Sequence, residues 1–317
     1  MLNLKNSKIV ITGGRGFLGR QVTEAFVKAG ASRKKIIQLG RKDYDLRKFS
    51  DCKKAVTGAD LVVHLAANFD GLKYNTEHAA EVFYDNAVMG INLVKASYEA
   101  GAKKFILAGT VGSYPKTAPI PYKEEDYWNG LPEAGNDSYG LSKKMVDAAL
   151  RAFSQQYGFK GFNLILANMY GPGDHFSLDR ANVIPALVHK FLKAKRENIK
   201  EVVMWGSGKA TREFLFVEDA ARAVVLSALN YEGTEPLNIG SGEETPIRKI
   251  AEQIALLVGF KGKIVWDKTK PEGQRRRVMD VSKARNLFGF KAKVNFAQGL
   301  KRTIAWYKAN EEIINKK

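Results

Sequence analysis

The sequence is poor in the residues that build disulfides and metal centres. Its 317 residues include one cysteine, Cys52, and four histidines. A lone cysteine excludes an intramolecular disulfide and a thiolate cage around a metal, and the histidines are too dispersed for metal-ligand spacing. We therefore expect no metal in the chemistry of this protein.

Long apolar runs are also lacking. No stretch approaches the roughly 18 apolar residues that span a bilayer. Residues 1-5 lead into a predicted strand and leave no room for a signal peptide. These absences predict a cytoplasmic protein without membrane attachment.

Acidic residues are scarce relative to basic ones, with 33 against 51 and a net charge of +18. The basic residues are scattered. Their local groups at residues 33-35, 193-196 and 275-277 lack interleaved aromatic residues and a surrounding nucleic-acid fold signature. We expect no nucleic-acid partner, and the positive charge instead suits a small substrate that carries two negative charges.

Apolar runs of strand length alternate with amphipathic helical stretches in the first half of the chain. The strand-like runs are residues 8-12, 35-39, 60-65, 104-109 and 161-167, and the helical stretches are residues 16-29, 47-57, 77-100 and 138-157. Such alternation predicts a parallel sheet with right-handed crossovers and helices on both faces. The expected fold class is α/β, with a Rossmann-type doubly wound parallel sheet in residues 1-170.

Beyond residue 170 the pattern changes. Loops with proline and glycine separate predicted helices near residues 181-196, 217-230, 246-258 and 296-313, and a short strand lies near residues 201-204. We expect residues 171-317 to form mainly a smaller α/β lobe that binds the substrate, with some later segments returning to the first domain. No flexible linker is present, so the two parts should pack together around a cleft.

A glycine-rich turn follows the first predicted strand. Gly13, Gly16 and Gly19 form a T-G-x-x-G-x-x-G pattern that leads into a helix. The first glycine permits a tight turn, the second lets a pyrophosphate approach the helix N-terminus, and the third allows close packing of helix on strand. The turn, with Phe17 and Leu18, predicts a dinucleotide site.

Two arginines indicate which dinucleotide binds. Arg15 lies within the glycine-rich turn, and Arg41 follows the second strand, where an acidic residue would accept a ribose 2′-hydroxyl in an NAD site. Together they form a clamp for a 2′-phosphate, so NADP(H) is the expected cofactor. Asp45, with Leu46, is predicted to contact the adenine amino group. Ala66 and Ala67 are predicted to lie along the diphosphate.

Tyr139 and Lys143 lie four residues apart in a predicted helix, and Thr110 follows the fourth strand. Spacing of i and i+4 places two side chains on one helix face. The lysine ammonium can therefore support the ionised form of the phenol, whose ordinary pKa near ~10 is too high for proton transfer at neutral pH. These three residues predict the catalytic group of a carbonyl oxidoreductase.

The chain resembles the extended short-chain dehydrogenase/reductase family, and within it the GDP-L-fucose synthases, over nearly its whole length. Besides the motifs above, the resemblance is carried by residues 114-116, 168-172, 183-187, 203-208, 212-215 and 280-282. It implies hydride transfer to a sugar C4 carbonyl, with Asn168 and Met169 beside the nicotinamide carboxamide. It also implies a homodimer joined through the helices at residues 77-100 and 138-157.

The resemblance further implies a GDP-sugar substrate. The residues expected around its diphosphate, base and sugar are Arg212, Lys190, Arg276, Trp205, Val183 and Asn182. Lys190 stands where an arginine is usual, so a point charge replaces a bidentate fork there.

Two positions depart from the pattern of that family. Its epimerisation chemistry uses a cysteine two residues after the catalytic hydroxyl and a histidine just before Val183, where this chain has Gly112 and Asn182. Glycine has no side chain and an amide does not titrate in the useful range, so neither residue can move a proton. His175 and His189 are the neighbouring residues that could substitute, although each fits a loop or a helix surface better.

These observations predict an NADPH-dependent C4 reductase of a GDP-linked 4-keto sugar, a 6-deoxy hexose or a heptose, without the C3/C5 epimerase residues. A nucleotide-sugar 4-epimerase or C4 dehydrogenase is the alternative, because reversible hydride transfer at C4 needs the same tyrosine and lysine. A 4,6-dehydratase is disfavoured, since Val111 and Gly112 supply no acid-base carboxylate. A non-enzymatic alternative is an inactive NADP-binding module, although all three predicted catalytic residues are present.

Overall fold

The computed structural model describes residues 2-135, 137-176, 181-270 and 274-315. The strands are β1 (Ile9–Thr12), β2 (Ile36–Leu39), β3 (Leu61–His64), β4 (Lys104–Thr110), β5 (Gly161–Leu166), β6 (Asn168–Tyr170), β7 (Glu201–Trp205), β8 (Thr211–Phe216), β9 (Leu237–Ile239), β10 (Glu244–Pro246) and β11 (Lys263–Asp267). The helices are α1 (Phe17–Lys28), α2 (Phe49–Val56), α3 (Gly71–Glu77), α4 (Ala79–Glu99), α5 (Asp137–Tyr157), α6 (Val183–Arg196), α7 (Val217–Asn230), α8 (Ile247–Val258), α9 (Ser282–Phe288) and α10 (Phe296–Asn315).

A six-stranded parallel sheet in the order β2-β1-β3-β4-β5-β9 forms the centre of the molecule. Successive strand residues enter two different cores. Ile9 and Ile11 pack in the core that includes α1 and α7, whereas Val10 packs in the core that includes α2, α4 and α5. Because both faces are covered, the strands are mainly apolar, as is usual for parallel sheets. The predicted α/β fold with a doubly wound Rossmann-like sheet is confirmed.

The elements predicted in the first half are present, with bounds shifted by no more than two residues. The structure adds several elements that the sequence pattern did not indicate, among them α3, α9, β8, β9 and β11. Strand β9 has three residues, too few to show an alternating pattern. It pairs with β5, and α7 packs against α1, so this part of the chain returns to the large sheet.

The predicted strand at residues 161-167 is two strands in the structure. β5 ends at Leu166, and β6 pairs with β8 in a separate sheet of order β10-β8-β6. The chain thus passes from the large sheet to the second one at the carboxyl edge of β5. This passage places Asn168 and Met169 at the junction of the two sheets.

The C-terminal part has its own hydrophobic core. Ile184 and Phe191 of α6 pack with Ile254 of α8 and Leu300 of α10. The predicted strand at residues 201-204 is β7, which pairs in parallel with β11. A helix both long and apolar enough to cross a membrane is absent from the described part of the chain.

Helices α4 and α5 approach each other closely at one glycine. A Cβ atom at Gly90 of α4 would lie 2.2 Å from Cγ2 of Val146 in α5. Both residues are buried. The missing side chain therefore sets the distance between α4 and the helix that carries Tyr139.

Substitution Gly90→Ala should lower the free energy of unfolding by about 1–3 kcal/mol, because the new methyl group overpacks this contact. The loss should occur even though alanine favours a helix over glycine by up to ~1 kcal/mol. The double variant Gly90→Ala/Val146→Ala should recover part of the loss, measured by urea unfolding in a double-mutant cycle. If the two effects simply add, the contact with Val146 is not the cause.

Candidate active site

The glycine-rich turn folds tightly against neighbouring backbone. Gly13 has a φ of +68°, and a Cβ atom there would lie 2.9 Å from the backbone nitrogen of Ala66. A Cβ atom at Gly19 would lie 2.3 Å from the carbonyl oxygen of Gly13. Gly19 therefore allows α1 to pack on the turn itself, rather than only on the strand. No side chain fits at either position.

The N-terminus of α1 is open to a ligand. Its N-cap, Gly16, makes no side-chain capping bond. The side chains of Phe17 and Leu18 pack into the core, so these residues can offer only backbone N–H groups to a cofactor. Unbonded amides at a helix N-terminus favour phosphate. The turn thus fits the pyrophosphate of a dinucleotide.

An acidic residue that the sequence reasoning missed lies at the end of β2. Arg15 Nη1 lies 3.0 Å from Asp43 Oδ2, and Nη2 donates to Oδ1 at 3.1 Å. Asp43 Oδ2 also accepts the Gly40 N–H at 2.6 Å. The Gly40 bond first, and then Arg15, keep the pKa of Asp43 below its ordinary value. Arg41 is exposed and makes no hydrogen bond or ion pair with the residues that the structure describes.

The predicted adenine contacts have partners of their own. Asp45 Oδ1 accepts from Arg47 Nε at 2.9 Å, and Arg47 Nη1 lies 3.3 Å from Asp85 Oδ1. The bond from Arg47 is the main reason that the pKa of Asp45 lies below its ordinary value. Leu46 is buried in the core beneath the sheet. A role for Asp45 and Leu46 at the adenine stays a prediction.

The turn after β4 packs directly on the first turn of α5. Ser113 Oγ donates to the Gly140 carbonyl at 3.1 Å, and a Cβ atom at Gly140 would lie 2.9 Å from the Gly112 carbonyl oxygen. Thr110 is the last residue of β4, and its Oγ1 accepts the Gly112 N–H at 3.1 Å. This contact brings Thr110 and Tyr139 to the same part of the carboxyl edge of the sheet.

Burial governs the ionisation of Tyr139 and Lys143. Lys143 Nζ lies 5.6 Å from the centre of the Tyr139 ring. Burial raises the pKa of Tyr139 and lowers the pKa of Lys143 to about 8. Loss of water is the cause of the raised pKa of Tyr139. Support of the ionised phenol by Lys143 stays a prediction. Tyr139 is a neutral phenol, which is the form that a proton donor needs.

The residues at the end of β3 lie beside the glycine-rich turn. Ala66 is half-buried and Ala67 exposed, and the Ala66 N–H donates to Thr12 Oγ1 at 3.3 Å. Thr12 Oγ1 also lies 2.8 Å from His64 Nδ1. Burial, and then the charge of Lys143, hold the pKa of His64 well below its ordinary value, so His64 is neutral. Across the described ranges, no group of three or more histidine, cysteine or acidic side chains could hold a metal ion.

The loop after β3 places Phe69 against the catalytic tyrosine. The ring centres of Phe69 and Tyr139 lie 4.6 Å apart. The preceding residue, Asn68, fixes the loop, because its N–H donates to Asn86 Oδ1 and its carbonyl accepts from Asn86 Nδ2, both at 2.8 Å. Phe69 therefore covers one side of the catalytic ring. The sequence reasoning missed this residue, since only the fold brings the loop to α5.

The two positions without epimerase residues are open in the structure. A Cβ atom at Gly112 would meet only atoms of the catalytic threonine, the nearest at 3.4 Å. Asn182 is the exposed N-cap of α6, without a side-chain capping bond. His175 is exposed in its loop, and His189 Nδ1 lies 2.9 Å from Tyr307 Oη within the C-terminal part. Residues 177-180, which precede α6, lie outside the described residues.

The arginines expected to bind a diphosphate have different environments. Burial, and then the charge of Arg277, lower the pKa of Arg212 to about 10. Arg276 is held by Glu244, with Nη2 and Oε2 2.6 Å apart. Arg277 is thus the cation whose charge acts on Arg212. Its backbone carbonyl accepts the Glu213 N–H at 3.1 Å. Arg277 was not predicted, because residues 275-277 are three consecutive arginines and only the fold brings the charge of Arg277 close to Arg212.

The remaining predicted substrate residues lie on α6 and β7. Lys190 Nζ donates to the Val203 carbonyl at 2.5 Å. Trp205 is 68% exposed and Val183 40% exposed, so neither belongs to a core. Asn168 Nδ2 donates to the Glu213 carbonyl at 3.5 Å. Contacts of these residues with a ligand stay predictions.

Replacement of Lys143 with methionine should stabilise the fold while it abolishes turnover. Lys143 is 2% exposed and makes no hydrogen bond or ion pair with a described residue. With a pKa of about 8 in the native state, its burial as a cation costs about 3 kcal/mol at neutral pH. This cost falls as the pH rises from about 8 toward the unfolded value, where the native lysine is already neutral. The rise in Tm should therefore be larger at pH ~7 than at pH ~10.

Lys144→Met is the matched control. Lys144 is equally buried, but its Nζ donates to the Gly130 carbonyl at 3.0 Å and lies over the rings of Tyr127 and Trp128. Its loss should lower the Tm. Equal effects of the two substitutions would contradict a specific cost at Lys143.

Comparison with known sequences agrees with this geometry. A model described as the NAD dependent epimerase/dehydratase family matches residues 9-240. The chain is also 36% identical over 310 residues to the probable GDP-L-fucose synthase 1 of Oryza sativa subsp. japonica. The alignment covers 96% of this chain and 93% of that protein.

Solved structures show the same fold. The GDP-L-fucose synthetase of Naegleria fowleri bound to NADP has a TM-score of 0.88 at 29% identity, covering 98% of this chain and 97% of that one. A GDP-6-OMe-4-keto-L-xylo-heptose reductase from C. jejuni has a TM-score of 0.88 at 28% identity, covering 96% and 99%. These matches show that the chain belongs to the NAD dependent epimerase/dehydratase family, the extended short-chain dehydrogenases/reductases, and the glycine-rich turn agrees with this.

Proposed function

We propose that the protein is an NADPH-dependent reductase of the C4 carbonyl of a GDP-linked 4-keto sugar. One observation carries the proposal: the turn after Thr110 packs on the first turn of the helix that carries Tyr139 and Lys143, and Gly112 in that turn offers no group that transfers a proton. Reduction needs one hydride and one proton at C4. Epimerisation at C3 or C5 would need a further acid and base, which the residues at 112 and 182 do not supply.

The half-buried Thr110 and Tyr139 and the buried Lys143 suit the proposed reduction. NADPH, when bound, supplies the hydride. Tyr139, as a neutral phenol, donates its proton to the alkoxide that develops on the substrate oxygen. The Lys143 cation then stabilises the tyrosinate, and the Thr110 hydroxyl donates a hydrogen bond to the same oxygen.

Two arginines and the structure of one similar protein support NADP(H) as the proposed cofactor. Arg15 and Arg41 lie at the end of β2, where a 2′-phosphate would be read. The structurally similar protein from Naegleria fowleri was solved bound to NADP. We also propose six further residues as cofactor contacts: Asp45, Leu46, Ala66, Ala67, Asn168 and Met169.

The C-terminal part is the proposed substrate lobe. Arg212, with Arg277 beside it, and Lys190 are the cations proposed for the diphosphate. Trp205 and Val183 are exposed apolar side chains that suit the base or the sugar. The named relatives are GDP-L-fucose synthases and a GDP-linked 4-keto-heptose reductase, which supports a 6-deoxy hexose or a heptose as the sugar.

The proposal predicts NADPH oxidation with GDP-4-keto-6-deoxymannose in deuterated water, and no deuterium at C3 or C5 beyond that of an enzyme-free control. Hydride from NADPH labelled at its transferable position should appear at C4. Tyr139→Phe should lower the rate by about a hundredfold or more while NADPH binding persists. If neither this substrate nor a GDP-4-keto heptose is reduced, the proposal fails, and cycling without net NADPH oxidation would instead establish a 4-epimerase.

Restoring the missing pair gives a gain-of-function test of the same proposal. Gly112→Cys and Asn182→His together place a thiol and an imidazole where the proton-transfer pair is expected, and the structure has room for the first. The double variant should incorporate deuterium at ring carbons, whereas Gly112→Ser with Asn182→Gln should not. Deuterium incorporation by the native protein would show that other groups perform the exchange.

We also propose a homodimer joined through α4 and α5. These helices pack against each other and expose Phe83, Tyr84, Ile91 and Met145, with Tyr84 61% and Ile91 41% exposed. A second copy of the same face would cover this apolar surface. Continuity of the face across both helices supports the proposal.

The double variant Tyr84→Glu/Ile91→Glu should convert the dimer to a folded monomer, because it places charges in the apolar contact. Sedimentation velocity measures the change, and circular dichroism checks the fold. Leu256→Glu on α8, at a side chain 79% exposed, is the control and should leave the dimer intact. A monomeric native protein would contradict the proposal.

A further inference from the structure

The end of β2 combines two kinds of residue that usually exclude each other. In a Rossmann site, an acidic residue here accepts the ribose 2′-hydroxyl of NAD, whereas an arginine binds the 2′-phosphate of NADP. The first residue after the strand is Gly40, so the sequence has no acid at the usual position. The structure folds Asp43 back onto Gly40 and brings a carboxylate to that place.

The carboxylate of Asp43 and the guanidinium of Arg15 lie together beside Gly40. A Cβ atom at Gly40 would lie 3.4 Å from Arg15 Nη1 and 3.6 Å from Asp43 Oδ2. Both groups therefore lie over the strand end, joined by the two contacts of 3.0 and 3.1 Å. The side chains remain 58% and 28% exposed, respectively, so a ligand can reach them.

We propose that Asp43 is a specificity-determining residue that lets this site bind NAD(H) as well as NADP(H). With NAD(H), the Asp43 carboxylate accepts hydrogen bonds from the ribose 2′-hydroxyl, and Arg15 neutralises the carboxylate. With NADP(H), Arg15 and Arg41 bind the 2′-phosphate, and the charge of Asp43 opposes it. The inference rests on the proposed function in taking NADP(H) as the other cofactor.

Asp43 is better suited to this role than Asp45. Asp45 is bound through both carboxylate oxygens to Arg47, which also reaches Asp85. Asp43 shares its carboxylate with Gly40 and with a single arginine that itself faces the cofactor position. Its pKa lies below the ordinary value, so the carboxylate is charged at neutral pH and acts only as an acceptor.

The test is calorimetric titration of the protein with NADH and with NADPH, in the absence of any sugar. Asp43→Asn keeps the size of the side chain and its capacity to accept the Gly40 N–H, but removes the charge. The Kd for NADH should rise about tenfold, because a charge-assisted hydrogen bond is lost. The Kd for NADPH should fall about threefold, because repulsion of the phosphate is lost. The preference for NADPH should therefore increase about thirtyfold.

Two control variants bracket this result. Glu24→Gln removes the same charge from a carboxylate on α1 that is paired with Arg33 at the surface, and it should leave both Kd values unchanged. Arg15→Gln should weaken NADPH binding more than NADH binding.

The outcomes distinguish a failure of the role proposed for Asp43 from a failure of the proposed function. Equal changes in both Kd values for Asp43→Asn, or native protein that binds NADPH but not NADH, would overturn the role of Asp43 and leave the proposed function intact. Protein that binds neither cofactor would overturn both. A selective loss of NADH binding would support the inference whatever sugar the enzyme reduces.

Discussion

The contact between the first turn of α5 and the turn after β4 is the constraint on which the active site depends. Gly140 lies so close to the Gly112 carbonyl that a Cβ atom would approach within 2.9 Å. This contact holds Tyr139, which is half-buried, and Lys143, which is buried, near the carboxyl edge of the sheet. A buried cation without an anionic partner is unfavourable, so the two cores on either face of the sheet must stabilise the helix that carries it.

Ion pairing decides which of the many cations are available to anionic ligands. The net charge is +18, yet Arg47 and Arg276 are held by carboxylates and Arg15 shares its charge with Asp43. Arg212 has a like charge as its neighbour instead, and such a pair favours a bound dianion. The proposed anion sites are therefore local, at the end of β2 and along β8.

The large sheet and its helices could be predicted because each depends on a pattern confined to ten or twenty residues. The strands β1 to β5 are short, mainly apolar runs, and α5 shows helical spacing. β9 could not be predicted, because three residues carry no period and its pairing with β5 joins segments about seventy positions apart. The division of the fifth strand into β5 and β6 depends likewise on β8, which occurs later in the chain.

By itself the sequence determined the motifs on which the proposed function rests: the glycine-rich turn, the spacing of Tyr139 and Lys143, Thr110, and the glycine and asparagine at positions 112 and 182. These features are local, so spacing along the chain is enough to identify them. Only the tertiary structure decided that Asp43 folds onto Gly40, that Phe69 covers Tyr139, and that burial raises the tyrosine pKa. Each of these depends on backbone folding or on solvent exclusion by distant segments, and neither is encoded in the identity of a residue or its neighbours.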